Sequence, residues 1–193
     1  MAALDHILYA AAWASFGVVH SWLAGSAAKS RLTPVFGAGY RLAYNMVAVI
    51  HIGAVVAVGQ TLLGDRPGFD WSDATRAWMV GVHVIAWGTL LWTLRYYDLG
   101  RLSGLAQLRA WRRGGVLDED EPLRLDGPHA WIRHPLYAAA HLVLWSAAVT
   151  PLALQTAAWG SLYLIIGARL EERRLLVRYG DAYADYRRRV PGL

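Results

Sequence analysis

The sequence predicts an all-α polytopic membrane helix bundle of about five transmembrane helices, with its N-terminus outside and its C-terminus in the cytoplasm. Three observations carry that prediction. The chain of 193 residues is 56% hydrophobic and only 17% charged, against ~25% charged in an ordinary soluble domain. The charges are bunched, and the uncharged runs between them reach the ~17–25 residues that a membrane-crossing helix needs. Lysine and arginine are dense in alternate connecting segments and sparse in the others, the signature of cytoplasmic and outer loops.

His6 to Ala28 is an uncharged run of 23 residues. Only Asp5 and His6 stand near its start, with no basic stretch, so it reads as a retained span and not a cleaved signal. Leu42 to Gly64 gives a second run of 23 residues, and Ala77 to Leu94 a third of 18. From His134 to Ala168 no lysine, arginine, aspartate or glutamate occurs in 35 residues. That length is too great for one span and suits two, with a two-residue corner at Thr150-Pro151. The predicted spans are therefore roughly 6–28, 42–64, 77–95, 134–150 and 152–169, followed by a cytoplasmic tail, 170–193, all within one domain.

The first loop holds Lys29, Arg31 and Arg41 with no acid; the third, from Arg95 to Arg133, has seven arginines, and the tail from Arg169 has seven more. The second loop sets Arg66 and Arg76 against Asp65, Asp70 and Asp73. The net charge of +5 is thus a topology signal pointing to the lipid bilayer as partner, not the footprint of a nucleic-acid binder. Ten tryptophans suit interfacial belts. Cysteine is absent, which excludes disulfides, thiolate metal sites and a cysteine nucleophile.

"RRGGVLDEDEPLRLDG", residues 112 to 127, is expected to be a surface loop, with the acids Asp118 to Glu121 in a solvated turn. In the tail, Leu170, Leu175, Leu176 and Tyr179 mark one helical apolar face. Gly180 reads as a helix stop and Asp181 as the next N-cap. Tyr183, Tyr186 and Val190 then share a face of a second short helix. Both tail helices are expected to lie on the membrane surface, with arginines toward lipid phosphates.

Two features ask for more than anchoring. Arg133-His134-Pro135-x-Tyr137 opens the fourth span, where arginine suits an interface and proline a helix start. Glu171-Glu172 closes the fifth, where anionic headgroups repel carboxylates. Spans four and five, joined by a tight corner, are antiparallel neighbours. The start of one and the end of the other then share a level, which gathers amides, an imidazole, a phenol and two acids.

"RHPLY", followed about 35 residues later by "EERRLLVRYGDAYADYRRRVP", resembles the integral-membrane methyltransferases, among them isoprenylcysteine carboxyl methyltransferase and phospholipid N-methyltransferases. The resemblance covers roughly the last 90 residues. It implies S-adenosylmethionine as cofactor, drawn from the cytoplasm and bound by His134, Pro135, Leu136 and Tyr137 with Arg133 beside them, and by Glu171 with Glu172. It adds His129, five residues before the motif histidine, and Gln107 upstream. "HSWLAGSAAK…GYRLAYN", His20 to Asn45, and "YYDLGRLSGL", Tyr96 to Leu105, resemble the NnrU branch and bacterial methanethiol S-methyltransferases, which implies a bacterial inner membrane. Prenylcysteine methyltransferases carry an arginine four residues before the cofactor glutamate; that position here is Gly167, which puts a thiol acceptor ahead of a prenylcysteine carboxylate or a lipid amine.

The expected activity is methylation of a small or lipophilic acceptor reached from the membrane. Amides at the start of the fourth span suit the cofactor carboxylate, Tyr137 its adenosine, and Glu171 its ribose hydroxyls or amino group. A thiol must lose its proton, and His20 and Asp98 are the candidate bases. His51, His83 and His141, on apolar helices, are expected to bond neighbouring helices. The NnrU resemblance implies one alternative, a haem b protein with His20 and a second histidine as ligands, acting as isomerase or redox protein. A non-catalytic membrane scaffold is the other.

Overall fold

A computed structural model describes residues 2–117 and 122–193; the expected acidic turn at 118–121 lies outside them. The described residues form helices and no strands: α1 (Ala2–Leu23), α2 (Ser26–Phe36), α3 (Tyr40–Leu63), α4 (Asp73–Leu94), α5 (Leu99–Ser103), α6 (Leu105–Arg112), α7 (Pro135–Ser146), α8 (Pro151–Tyr179) and α9 (Asp181–Arg189). Three helical stretches, Ser26–Leu63, Asp73–Leu94 and Pro151–Tyr179, are long and apolar enough to cross a membrane. The chain is an integral membrane protein. Large apolar side chains such as Val18, Ile50, Val80 and Ile85 face outward, while Ala86, Ala139 and Ala157 are buried. Small residues inside and large ones outside is the arrangement helices adopt where lipid, not water, surrounds them.

The chain forms two compact units, Met1–Asp65 with Asp98–Glu121, and Arg66–Tyr97 with Pro122–Leu193. In the first, α1 packs along α3 through Tyr9, Trp13, Phe16, Val55 and Leu63. The two first-half stretches singled out in the sequence meet here. Asn45 Nδ2 donates to the carbonyls of Leu102 (2.9 Å) and Ser103 (3.0 Å), and Arg41 Nε donates to Leu102 O at 3.3 Å. Gly104 makes that junction possible: its φ is +91°, and a Cβ there would stand 2.6 Å from Leu42 N. Only glycine accepts both conditions. "GYRLAYN" and "DLGRLSGL" are therefore two sides of one packing contact.

In the second unit, α7 packs against α4 and α8. His83 Nε2 accepts from Trp87 Nε1 (2.9 Å), which leaves the proton on Nδ1, 2.9 Å from Ser146 Oγ of α7. Trp145 Nε1 donates to Ser161 Oγ of α8 at 2.9 Å. Both bonds tie helices together at apolar depth, where an unpaired polar group is costly. His51 bonds Ser15 of α1 at 3.0 Å, as expected of an intramembrane histidine. His141 departs from that expectation, bonding Tyr137 O of its own helix at 2.8 Å.

Several boundaries differ from the sequence reading. The first helix ends at Leu23, before a separate α2. The Thr150-Pro151 corner is a four-residue connection, 147–150, in which Val149 O accepts from Phe69 N at 3.1 Å and Thr150 is extended, so these residues leave the helix. Thr150 still caps α8, accepting from Ala153 N at 3.1 Å, and Pro151 is its first residue. α8 does not stop at 169: it runs unbroken to Tyr179, so the first tail helix is its continuation. Gly180, at φ +54°, ends it as expected and is itself the N-cap of α9; Asp181 is the first helical residue, not the cap.

Candidate functional site

Gly127 to Ala130 form a 3-10 turn, closed by Trp131 N donating to Pro128 O at 3.1 Å. Gly127, at φ +58°, packs its α-carbon on the Tyr96 ring, where a Cβ would overlap. His134, kept out of the helical region by the following proline (φ −120°, ψ 65°), is the N-cap of α7 and Pro135 its first residue. No side chain caps this end. The helix start therefore presents backbone amides, with the Tyr97 hydroxyl near that of Leu136.

The opposite wall comes from α8. Arg133 Nε and Nη2 donate to Glu172 Oε1 at 2.8 and 2.7 Å, and His134 Nε2 lies 3.2 Å from the same oxygen. Glu171 Oε2 sits 3.8 Å from His134 Nδ1, and the Tyr137 phenol lies beside the same carboxylate. The His134 and Tyr137 rings stack at 5.5 Å with planes 10° apart. The structure thus brings together Arg133, His134, Pro135, Leu136, Tyr137, Glu171 and Glu172, with His129 next to them through Tyr97, whose hydroxyl is 3.2 Å from His129 Nε2.

Three tyrosines complete the site that the sequence reading did not place in it. Tyr97 belongs to the "YYDLG" stretch quoted above, and its phenol is pushed up by burial and by the nearby Glu171 charge. Tyr183 and Tyr186, on the shared face of the helix expected to lie on the membrane surface, are 1% and 3% exposed and pack into the protein behind the site. Tyr186 Oη donates to His129 O at 2.6 Å. Burial, then the Glu172 charge, raises the Tyr183 phenol to about 12. Their i, i+3 spacing was the available signal, since two aromatic rings on one face of a short, otherwise charged helix mark a buried stripe. Arg133 is likewise no headgroup anchor: its guanidinium is taken by Glu172 and by C-terminal carbonyls.

The Tyr183 hydroxyl is buried here with no hydrogen-bond partner. Buried polar groups are nearly always satisfied, so this hydroxyl suits a polar ligand. Burial lowers the His129 imidazole from its ordinary value; Asp126 opposes that shift, and Arg124 and His134 add to it.

His20, Asp98 and Gln107 belong to the other unit. Asp98 caps α5, accepting from Arg101 N at 3.0 Å and facing the Arg101 side chain at 3.6 Å. Gln107 is buried, its Nε2 donating to Arg101 O at 3.3 Å and its Oε1 without a partner. His20 Nε2 meets Tyr44 Oη at 2.6 Å. His20 and His51 line one groove with Phe16 between them, which encloses no room even for a water molecule. Both Nε2 atoms are engaged with hydroxyls. These residues do not fit a bis-histidine haem.

The chain is 33% identical over 119 residues to methanethiol S-methyltransferase 2 of Bradyrhizobium diazoefficiens, a match covering 61% of this chain and 46% of that protein. It is 36% identical over 78 residues to a methanethiol S-methyltransferase of Crocosphaera subtropica, covering 39% and 31%. It is 28% identical over 166 residues to Nurim of Xenopus laevis, covering 81% and 57%. The matches thus span less than two thirds of these curated relatives. No protein-family profile matches the chain, and no solved structure does. The chain thus pairs a helical membrane scaffold with similarity to proteins called methanethiol S-methyltransferase and Nurim, over about a third to just over a half of their length.

Proposed function

We propose that this protein is an S-adenosylmethionine-dependent membrane methyltransferase that S-methylates a small or lipophilic thiol. The observation that carries the reading is the meeting of the α7 start with Glu171 of α8, beside the buried, unpaired hydroxyl of Tyr183. The names of the relatives supply the reaction class.

When bound, the cofactor supplies a methyl group on a positively charged sulfur. The residues of the site match its polar groups. The uncapped start of α7 favours a carboxylate, through free amides and the positive end of the helix dipole. Glu171 favours an amino group or ribose hydroxyls, and the phenols of Tyr97, Tyr137 and Tyr183 around it favour a cation through their ring faces. Tyr183 Oη is a buried polar atom left for a ligand. Holding both partners in place and excluding water account for most of the acceleration of a displacement of this kind.

Gly167 supports the thiol over a carboxylate acceptor, because open space surrounds its α-carbon where a guanidinium would be needed to hold a carboxylate. Position along α8 supports cofactor entry from one membrane face. Glu171 lies twenty residues beyond Pro151, roughly 30 Å at ~1.5 Å per residue, the thickness of the hydrocarbon core. With Pro151 at the outer face, the site stands at the cytoplasmic one, and the acceptor arrives from the membrane. His20 and Asp98 have no part in this proposal, since Asp98 is committed to Arg101 and His20 to Tyr44.

Calorimetry with S-adenosylhomocysteine on the purified protein tests the reading. Saturable binding is expected, weakened at least about tenfold, or ~1.4 kcal/mol, by Glu171→Ala. A folded protein that takes up neither the cofactor nor its demethylated product would overturn it.

A further inference from the structure

We infer that Arg133 is a positioning residue, which withdraws Glu172 from ligand contact and leaves Glu171 as the carboxylate that meets the cofactor. This rests on the cradle proposed above. Every nitrogen of the guanidinium is committed. Nε and Nη2 hold Glu172 Oε1 at 2.8 and 2.7 Å. Nη1 donates to Val190 O at 2.5 Å and to Arg187 O at 3.3 Å. The backbone amide of Arg133 adds a bond to Pro191 O at 2.9 Å. One residue therefore fastens three pieces of chain: the approach to α7, the α8 carboxylate and the C-terminal strap of α9.

The adjacent acids divide by geometry. Successive residues on a helix point about 100° apart, so two neighbouring carboxylates cannot face one partner equally. Glu172 turns inward, with its side chain 16% exposed and its Oε1 shared by Arg133 and His134. Glu171 keeps 39% of its side chain exposed, and its closest ion-pairing atom is the imidazole nitrogen at 3.8 Å. A carboxylate already matched to a guanidinium has little left for a ligand cation, whereas Glu171 does. Arginine is needed because only its planar fork reaches a carboxylate and two carbonyls at once.

The test uses the full chain in detergent micelles, with S-adenosylhomocysteine as probe and hydrogen exchange of the peptide from 186 to 193 as a ligand-free readout. Glu171→Gln should weaken binding about tenfold or more with tail exchange unchanged, and Glu172→Gln should lose clearly less. Arg133→Gln strands a partly buried carboxylate, so it should weaken binding about tenfold and speed tail exchange. In Arg133→Gln/Glu172→Gln the stranded charge is gone, and most of the lost affinity should return.

A double variant as weak as Arg133→Gln would mean that Arg133 touches the ligand, and a Glu172→Gln loss equal to that of Glu171→Gln would mean that Glu172 does. Either result overturns the inference. If the wild-type protein binds no probe, the cofactor reading fails, and tail exchange alone decides whether Arg133 fastens the strap: faster exchange in Arg133→Gln supports it, and unchanged exchange overturns it. If Arg133→Gln does not fold, Arg133→Lys, which keeps the charge and loses the fork, is expected to show the same pair of effects.

Discussion

His129 is where burial and titration meet. Its imidazole is lowered below its ordinary value of 6.5 by burial, helped by Arg124 and His134 and opposed by Asp126. The sign follows from linkage. Below about pH 6.5 the unfolded chain takes up a proton that the folded chain refuses, so stability is full above that pH and falls as pH drops toward the folded pKa. The thermal midpoint in detergent should fall between pH 7.5 and 5.5, and His129→Gln should flatten that part of the slope. An equal slope in the variant would assign the pH dependence to other groups. Of the site residues, those in "RHPLY" and "EERR" were legible in the sequence because each run is local and chemically dense. Tyr183 was not, because its burial depends on what α9 packs against.

Thr150 and Pro151 show how far local chemistry fixes an element. The Thr150 hydroxyl takes an amide that the first turn of α8 leaves free, and the sequence places it because a cap needs only its next three residues. Thr150→Ala should cost about 0.5–2 kcal/mol of stability, read by denaturant unfolding in mixed micelles, while Thr150→Ser should stay near the wild type. No difference between Ala and Ser would show that the hydroxyl contributes nothing. The far end of α8 was misjudged for an identifiable reason. The charges from Arg169 to Arg174 mark where the helix leaves hydrocarbon, but arginine, leucine and glutamate are strong helix formers, and nothing breaks the helix before Gly180. A hydropathy boundary is not a helix boundary. Likewise α7, twelve residues long, is shorter than the uncharged run that contains it, because the reversal into α8 consumes residues 147–150.

At the scale of the whole molecule, the arginine pattern sets an orientation that labelling can check. The chain has no cysteine, so a single one can be introduced without interference. Val177→Cys, at a position 90% exposed, should react with an impermeant maleimide from the cytoplasmic side. Asp70→Cys, between α3 and α4, should react from the opposite side. Labelling of both from one side would overturn the orientation. The sequence by itself determined that this is a helical membrane protein, where its apolar segments fall, and where its densest polar motifs lie. Those properties follow from composition and short-range spacing, which the chain carries before it folds. Only the tertiary structure decided that Glu172 belongs to Arg133 and that the tail tyrosines turn inward. It also showed that the glycine of "LSGL" serves a close backbone contact. Each of these depends on partners 38 or more residues away or on a backbone conformation, and pairing at that distance is settled by packing and not by sequence proximity.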